Sequence, residues 1–178
     1  MTTWQIDPAH TTVEFAVKHM MFTTVRGRFT DVKGTINADE QNPNNSSVVV
    51  EINTKSIDTG VGDRDNHLRS ADFLDVEKYP TITFRSTRVE GTAKKEGDHF
   101  KVVGDLTIHG QSIEITLDAT YGGQGKDPWG KQRAGASANA EIDRRKWGLQ
   151  WNQALETGGI LVGNAVKISV DVQAVKEG

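Results

Sequence analysis

Apolar and polar residues alternate along this chain from one terminus to the other, and no other feature constrains its fold as strongly. Val13, Phe15 and Val17 alternate with polar residues near the start, and residues 166–172 repeat the pattern near the end. Because successive side chains of a β-strand point to opposite faces, this period of two predicts strands with one apolar and one polar face. The sequence therefore predicts an all-β fold.

The same alternation recurs in the middle of the chain, in residues 48–52, 82–84, 100–108 and 113–117. Such strands need a second apolar surface, which either a closed barrel or two stacked sheets can supply. Glycines within the strand patterns, namely Gly27, Gly34 and Gly104, favour the strong coiling of a barrel. A change of phase near Thr30 and Asp31 predicts a β-bulge and favours the same fold. Alternation alone leaves both architectures open.

Residues 62–78 depart from the alternation. Asp63 can cap a helix there, and Leu68, Phe73 and Val76 fit short helical turns that end before Pro80. We therefore predict one helical insertion that crosses the sheet. No Pro-rich or low-complexity linker interrupts the chain, so residues 1–178 are predicted to form a single domain.

The composition excludes several kinds of partner and site. The chain has no cysteine, which excludes disulfides, thiolate metal sites and a cysteine nucleophile. Its 21 Lys and Arg residues are interspersed with 24 Asp and Glu residues, so we expect no continuous positively charged surface that could bind a nucleic acid. No apolar run approaches the roughly 18 residues of a membrane span, and we expect no stable membrane insertion. Without a signal-like start, the chain as given is expected in the cytoplasm, or in the periplasm if a leader has been removed.

Ionisable residues are concentrated between Asp58 and Phe73. Within this block, Asp63 and His67 are four residues apart, on one face of a helix, where they could perform acid–base chemistry. No nucleophile, glycine elbow or oxyanion signature is nearby. Structural roles are therefore favoured, with Asp63 as a helix cap that complements the helix dipole.

The arginines of this block have structural interpretations as well, because Arg64 and Arg69 could pair with local carboxylates or cap the rim of the barrel. We predict that the protein is not an enzyme. The alternative is a hydrolase or isomerase that acts on a small amphiphile through His19 or through the segment from Asp63 to Asp72.

The five histidines show no metal-ligand spacing such as H-x-x-x-H, and we predict no metal site, no catalytic residue and no cofactor. His19 continues the inward parity of Phe15 and Val17. It is therefore expected to point into the interior, either as a ligand contact or as a buried, hydrogen-bonded residue.

Several inward positions are small, and these are Gly27, Gly34, Gly104, Ala136, Ala138 and Ala140. The interior of an eight-stranded barrel is either just filled by side chains or left open for one small ligand. Small side chains on the inner wall predict that volume remains open inside the barrel, and an apolar cavity favours an apolar ligand. On the helical insertion, Arg64, His67 or Arg69 could meet an anionic head group of that guest.

Short blocks follow one another in a fixed order along nearly the whole chain. They are Trp4-x-Ile6-Asp7-x-x-His10, Phe15-x-Val17-x-His19, Gly27-Arg28-Phe29, Arg64-Asp65-x-His67-Leu68-Arg69-Ser70-x-Asp72-Phe73, Tyr79-Pro80-x-Ile82-x-Phe84-x-Ser86, Gly104-x-Leu106-Thr107-Ile108-x-Gly110, and Arg145 with Trp147-Gly148. Each block is weak by itself, but the ordered set resembles the YceI-like family, known as polyisoprenoid-binding proteins.

The resemblance implies an extended, lipocalin-like, antiparallel barrel of eight strands with a helical insertion near one end. It implies a carrier or storage protein that holds a long isoprenoid or similar amphiphile, such as an isoprenoid quinone or a prenyl phosphate, and no established catalysis. Some relatives are dimeric, so a homodimer is also expected. Inward parity and the family blocks together nominate ligand-binding residues, which are Phe15, Val17, His19, Phe22, Phe29, Arg64, His67, Leu68, Phe73, Phe84, Leu106, Ile108 and Trp147.

Overall fold

A computed structural model of the chain, which describes residues 1–156 and 158–178, consists mainly of β-strands. The shorter strands come first and are β1 Thr2–Ile6, β2 Thr12–His19, β3 Thr23–Phe29, β4 Val32–Ala38, β5 Ser47–Asn53 and β6 Ile57–Asp58. The longer strands follow and are β7 Thr81–Gly91, β8 His99–Ile108, β9 Gln111–Lys126, β10 Gln132–Asp143 and β11 Val162–Lys176. Between β6 and β7 lies the helix α1, Gly62–Arg69. Short 3₁₀ turns occupy Pro8–His10, Pro43–Asn45, Thr54–Ser56 and Arg144–Trp147.

The sheet closes on itself. Neighbouring strands are antiparallel in the order β1-β4-β5-β7-β8-β9-β10-β11, and β11 pairs back with β1, where Lys176 lies opposite Trp4. Strands β2, β3 and β6 continue β1, β4 and β5 beyond short interruptions, which lengthens the barrel at one end. The predicted eight-stranded antiparallel barrel with a helical insertion is confirmed, and the sandwich alternative is wrong.

Hydrogen bonds hold two of these interruptions. Between β1 and β2, the Asp7 carboxylate lies 2.7 Å from Nδ1 of His10 and accepts a hydrogen bond from Nη1 of Arg133 at 2.8 Å. Between β3 and β4 the strand is interrupted at Thr30, whose N–H donates a hydrogen bond to the carbonyl of Ser56 at 3.2 Å. The predicted change of phase lies here, but it is a break between two strands rather than a bulge within one, since β3 pairs with β2 and β4 with β1.

The helix α1 is shorter than the predicted insertion and begins differently. The chain from residue 70 to residue 79 forms hydrogen-bonded turns instead of further helix. The prediction that Asp63 caps the helix is wrong, because Val61 is the N-cap residue and no side chain bonds there. Asp65 is buried, and its carboxylate accepts hydrogen bonds from the N–H and the hydroxyl of Thr59. This contact ties the start of the helix to the end of β6.

The strand glycines make room for neighbouring side chains. A Cβ atom on Gly27 would lie 2.3 Å from the ring of Phe15 on β2, and one on Gly104 would lie 2.7 Å from the ring of Phe84 on β7. Gly34 is approached as closely, because its Cβ would lie 2.6 Å from the backbone of β5. The prediction that these glycines leave open volume is therefore wrong, since neighbouring groups occupy the space.

The two ends of the barrel carry different segments. We call the helix end the one that holds α1, the turns at residues 20–22 and 109–110, and the segments 144–156 and 158–161. We call the far end the one that holds the turns at residues 39–46, 92–98 and 127–131 together with both chain termini.

Candidate ligand-binding cavity

A cavity of about 950 Å³ occupies the interior of the barrel. Inward residues of all the strands form its wall, and it extends from His67 and Trp151 at the helix end to Tyr121 and Lys94 at the far end. Small-molecule sites usually enclose roughly 300 to 1,000 Å³ and are predominantly apolar. This cavity lies near the upper limit of that range, and its length matches the length of the barrel.

All but two of the candidate residues line this cavity. Those that do are Phe15, Val17, His19, Phe29, Arg64, His67, Leu68, Phe73, Phe84, Leu106 and Ile108. Among the small residues, Ala136 and Ala138 line it, whereas Ala140 does not. The period-two pattern therefore identified the inward face of the strands, because each strand keeps its parity as long as its pairing is regular.

Phe22 and Trp147 lie outside the cavity, and the prediction that they line it is wrong. Phe22 is 78% exposed at the tip of the turn between β2 and β3, where the parity of β2 has already ended. Trp147 is 1% exposed and packs within the core, where its indole Nε1 donates a hydrogen bond to the Leu106 carbonyl at 2.9 Å. Trp147 therefore bonds to the backbone of Leu106, which is itself a residue of the cavity wall.

An aromatic cluster forms the wall at the helix end. The ring of His67 meets Phe73 edge to face at 5.1 Å between centroids and meets Trp151 at 4.7 Å. Phe73 and Trp151 are 5.3 Å apart. On its other side, Nε2 of His67 lies 2.9 Å from the Asp72 carboxylate, which fixes the orientation of the imidazole. Trp151 was not predicted, because it lies in an irregular segment where no periodicity assigns a direction to its side chain.

The arginines of the helical insertion bind the backbone instead of carboxylates. Arg64 donates to the hydroxyl of Thr59 at 2.7 Å and to its carbonyl at 2.8 Å. Arg69 donates to the carbonyls of Lys55 at 3.0 Å and Ile57 at 2.9 Å, and it does not line the cavity. The predicted pairing of these two arginines with local carboxylates is wrong, since oxygen atoms of residues 55–59 accept their hydrogen bonds instead.

Arg144 is a buried cation that the sequence did not reveal. It is 4% exposed and lines the cavity. Its guanidinium donates to the carbonyls of Leu149, Trp151 and Gly163 at 2.6, 3.0 and 2.9 Å, and burial lowers its pKa. It therefore holds the segment that carries Trp151 in place. Its neighbour Arg145 pairs with Asp143 at the surface, and nothing in the sequence distinguishes the two arginines.

Polar groups line the far end. Tyr121 reaches the cavity there, and the pKa of its phenol is raised by burial and, to a smaller extent, by the nearby charge of Glu40. Asp39 and Lys94 line the same end. The cavity is therefore an apolar passage with hydrogen-bonding groups at both ends, a distribution suited to an amphiphile.

Two histidines, His19 and His67, line the cavity. The imidazole of His67 lies against the Asp72 carboxylate, whereas the Ser70 hydroxyl donates to the backbone carbonyl of His67 and not to its ring. Residues 1–156 and 158–178 contain no group of three or more His, Asp or Glu placed to hold a metal ion. None of the helices described is long and apolar enough to cross a membrane.

Known proteins with the same fold and related sequences exist. Protein YceI of Escherichia coli O157:H7 is 45% identical over 141 residues, which cover 79% of this chain and 72% of that protein. The crystal structure of the Campylobacter jejuni YceI protein is 31% identical, covers 90% of both chains and superposes with a TM-score of 0.76. A polyisoprenoid binding domain from Saccharophagus degradans has the same fold, with a TM-score of 0.73 over 98% of both chains, at 13% identity.

The family model agrees with these relatives and with the resemblance of the sequence blocks. The model described as the YceI-like domain matches residues 4–174, from Trp4 on β1 to Ala174 on β11. This match spans every strand of the barrel as well as α1. The chain therefore belongs to the YceI-like family.

Proposed function

We propose that this protein binds a long-chain isoprenoid or a similar amphiphilic lipid inside the barrel and acts as its carrier or store. The observation that carries the proposal is the cavity of about 950 Å³ inside the barrel, with an apolar wall along the barrel and polar groups at its ends. The solved Saccharophagus degradans domain of the same fold is named a polyisoprenoid binding domain, which agrees with the proposal. Candidate lipids are isoprenoid quinones and prenyl phosphates.

Burial of the chain of such a lipid is sufficient to drive binding. Each buried methylene contributes about 0.8 kcal/mol, so about ten of them contribute roughly 8 kcal/mol before the cost of association. No catalytic group is needed for this function. Turnover of a small amphiphile that is lost in His67→Ala while binding persists would support an enzyme instead. The homodimer and the cellular location stay predictions.

Extraction of the purified protein with organic solvent, followed by mass spectrometry, tests the proposal directly. We expect a prenyl lipid to be recovered, and protein stripped of lipid should take up an added prenyl quinone. Protein that is always empty and that also fails to take up prenyl lipids would refute the proposal.

A blocking substitution tests whether the lipid lies in the cavity. Ala138 lies midway along β10, lines the cavity and faces Ala119 and Val170 on the neighbouring strands. Ala138→Trp would fill the passage there, so we expect the affinity for a prenyl quinone to fall by more than about tenfold, which corresponds to 1.4 kcal/mol. Asn139→Trp is the matched control, because Asn139 is exposed on the outer face. Equal affinities of the two variants would place the lipid elsewhere.

A further inference from the structure

Three consecutive apolar side chains are exposed at the turn between β2 and β3. Met20, Met21 and Phe22 are 40, 61 and 78% exposed, and we call them the hairpin tip. Single exposed apolar residues are ordinary on a protein surface, whereas adjacent ones mark a surface that contacts a partner or a membrane. The fold does not use these side chains in its core.

The backbone of the hairpin tip is unusual. Met20 and Met21 have φ angles of 51° and 66°, in the left-handed region that favours glycine. The left-handed conformation is costly for methionine, and the tight turn imposes it, because hairpin turns of this kind require a positive φ at both central residues. The tip is also held in place, because the N–H of Met20 donates to the Leu161 carbonyl at 2.8 Å and that of Phe22 to the His19 carbonyl at 3.1 Å.

The hairpin tip adjoins the helix end of the cavity. His19 directly precedes the tip and lines the cavity, and Leu161, which bonds to Met20, lines it as well. A surface that contacts the hairpin tip therefore also lies beside this end of the cavity.

Cations lie behind the hairpin tip on the outer face of the barrel. Ala16 on β2 is flanked by Arg26 on β3 and Lys167 on β11, and Lys18 lies two residues nearer the tip. These three cations are exposed. None of them forms an ion pair with any residue that the structure describes. The first carboxylate on this face of β2 is Glu14, farther from the tip.

We propose that the hairpin tip docks the protein on an anionic lipid surface. Met20, Met21 and Phe22 enter the head-group region, and Lys18 and the neighbouring cations face the lipid phosphates, which is the arrangement of a peripheral membrane anchor. The helix end of the cavity then opens against the membrane. The docking itself does not depend on the proposed function. The assignment of this end as the place where a lipophilic guest is exchanged rests on that function.

The charge argues for a membrane over a second copy of the chain. A two-fold contact through the tip would bring the same patch of each copy together, so that Lys18, Arg26 and Lys167 would face like charges. Three side chains also provide little of the roughly 1,200 Å² or more that a stable interface buries. An anionic surface, in contrast, complements both the apolar tip and the cations.

Flotation of the protein with phosphatidylcholine vesicles, with and without phosphatidylglycerol, tests the docking. We expect the protein to bind vesicles that contain phosphatidylglycerol and to be released as the salt concentration rises. Phe22→Ser should weaken binding by about tenfold or more. Substitution of Lys18, Arg26 or Lys167 by Gln should weaken it about fivefold each, on the anionic vesicles alone. Trp129→Ser is the matched control, because Trp129 is 82% exposed at the far end, and it should bind like the wild type.

Three results would overturn the docking proposal. They are a wild-type protein that does not bind the vesicles, equal binding by Phe22→Ser and the wild type, and a Phe22→Ser variant that changes from dimer to monomer in light scattering while its vesicle binding is unchanged. Uptake of a detergent-dispersed prenyl quinone separates this proposal from the function itself. Phe22→Ser should keep that uptake. Loss of vesicle binding with uptake retained would therefore concern docking alone, and loss of uptake with vesicle binding retained would concern the cavity alone.

Discussion

An aromatic ring packs against both Gly27 and Gly104, but we expect an added methyl group to change the free energy of unfolding very differently at the two positions. The three atoms nearest to a Cβ on Gly27 would all belong to the ring of Phe15, at 2.3 to 2.9 Å. These atoms are the far end of the ring, and because Phe15 lines the cavity, the ring has open space into which it can swing. A Cβ on Gly104 would lie 2.5 Å from the Arg85 carbonyl and 2.7 Å from Cα of Ser86, and this backbone cannot move without breaking the pairing of β7 with β8.

The expected changes in the free energy of unfolding follow from these contacts. Overpacking typically destabilises the folded state by about 1 to 3 kcal/mol. Replacement of Gly by Ala also lowers the entropy of the unfolded chain, which stabilises the folded state by about 0.4 to 1 kcal/mol. We expect Gly27→Ala to destabilise the protein by about 1 kcal/mol, because the Phe15 ring can give way. Gly104→Ala should destabilise it by about 3 kcal/mol or more, since the obstacle is backbone.

Urea unfolding followed by tryptophan fluorescence measures both values, and a double-mutant cycle tests their cause. In a Phe15→Ala background the effect of Gly27→Ala should disappear or become slightly stabilising. In a Phe84→Ala background Gly104→Ala should remain strongly destabilising. If Gly27→Ala is equally damaging with and without the Phe15 ring, or if removal of Phe84 rescues Gly104→Ala, the explanation from these contacts is refuted.

Two further predictions concern polar groups. Arg144→Met should lower the free energy of unfolding by about 3 kcal/mol, since buried carbonyls lose a charged donor, and should speed amide hydrogen exchange in residues 149–156 and 158–163. A change that is no larger than in Arg145→Met would contradict the role assigned to Arg144. Hydrogen bonds from His10 and Arg133 lower the pKa of Asp7 from 3.8 to about 2. Because this pKa is lowered on folding, the resulting stability is present above pH 3.8 and is lost as the pH falls through about 2. The stability difference between the wild type and Asp7→Asn should shrink over that interval, and a constant difference in urea midpoints would contradict it.

The alternation of the strands predicted their inward faces well. Phe15, Val17 and Phe84 line the cavity as expected, because a regular strand holds each side chain on one face. The same reasoning failed for Phe22, which lies past the end of β2 in a turn with left-handed backbone. It also failed for Trp147, in a 3₁₀ turn. Period two carries no information once the strand ends, so residues of turns could not be assigned a direction.

Local chemistry in the helical insertion was predicted less well. The sequence shows that Asp63, Arg64 and Arg69 are charged, but the partners of a charged side chain depend on which backbone groups the fold brings near it. The loop before α1 presents the Thr59 carbonyl to Arg64, and strand β6 presents the Ile57 carbonyl to Arg69. These partners precede the arginines by several residues and have no recognisable signature in the sequence.

The sequence by itself determined the class of the fold, the faces of the strands and, through its ordered blocks, the family. These follow from the period of the alternation and from residue identities, both of which are local. Only the tertiary structure decided where volume remains in the interior. The strand glycines that predicted open space are covered by Phe15 and Phe84, while Trp151 and the buried Arg144 complete the cavity at the helix end. Open volume depends on which side chains meet across neighbouring strands, and that is fixed by register and barrel closure.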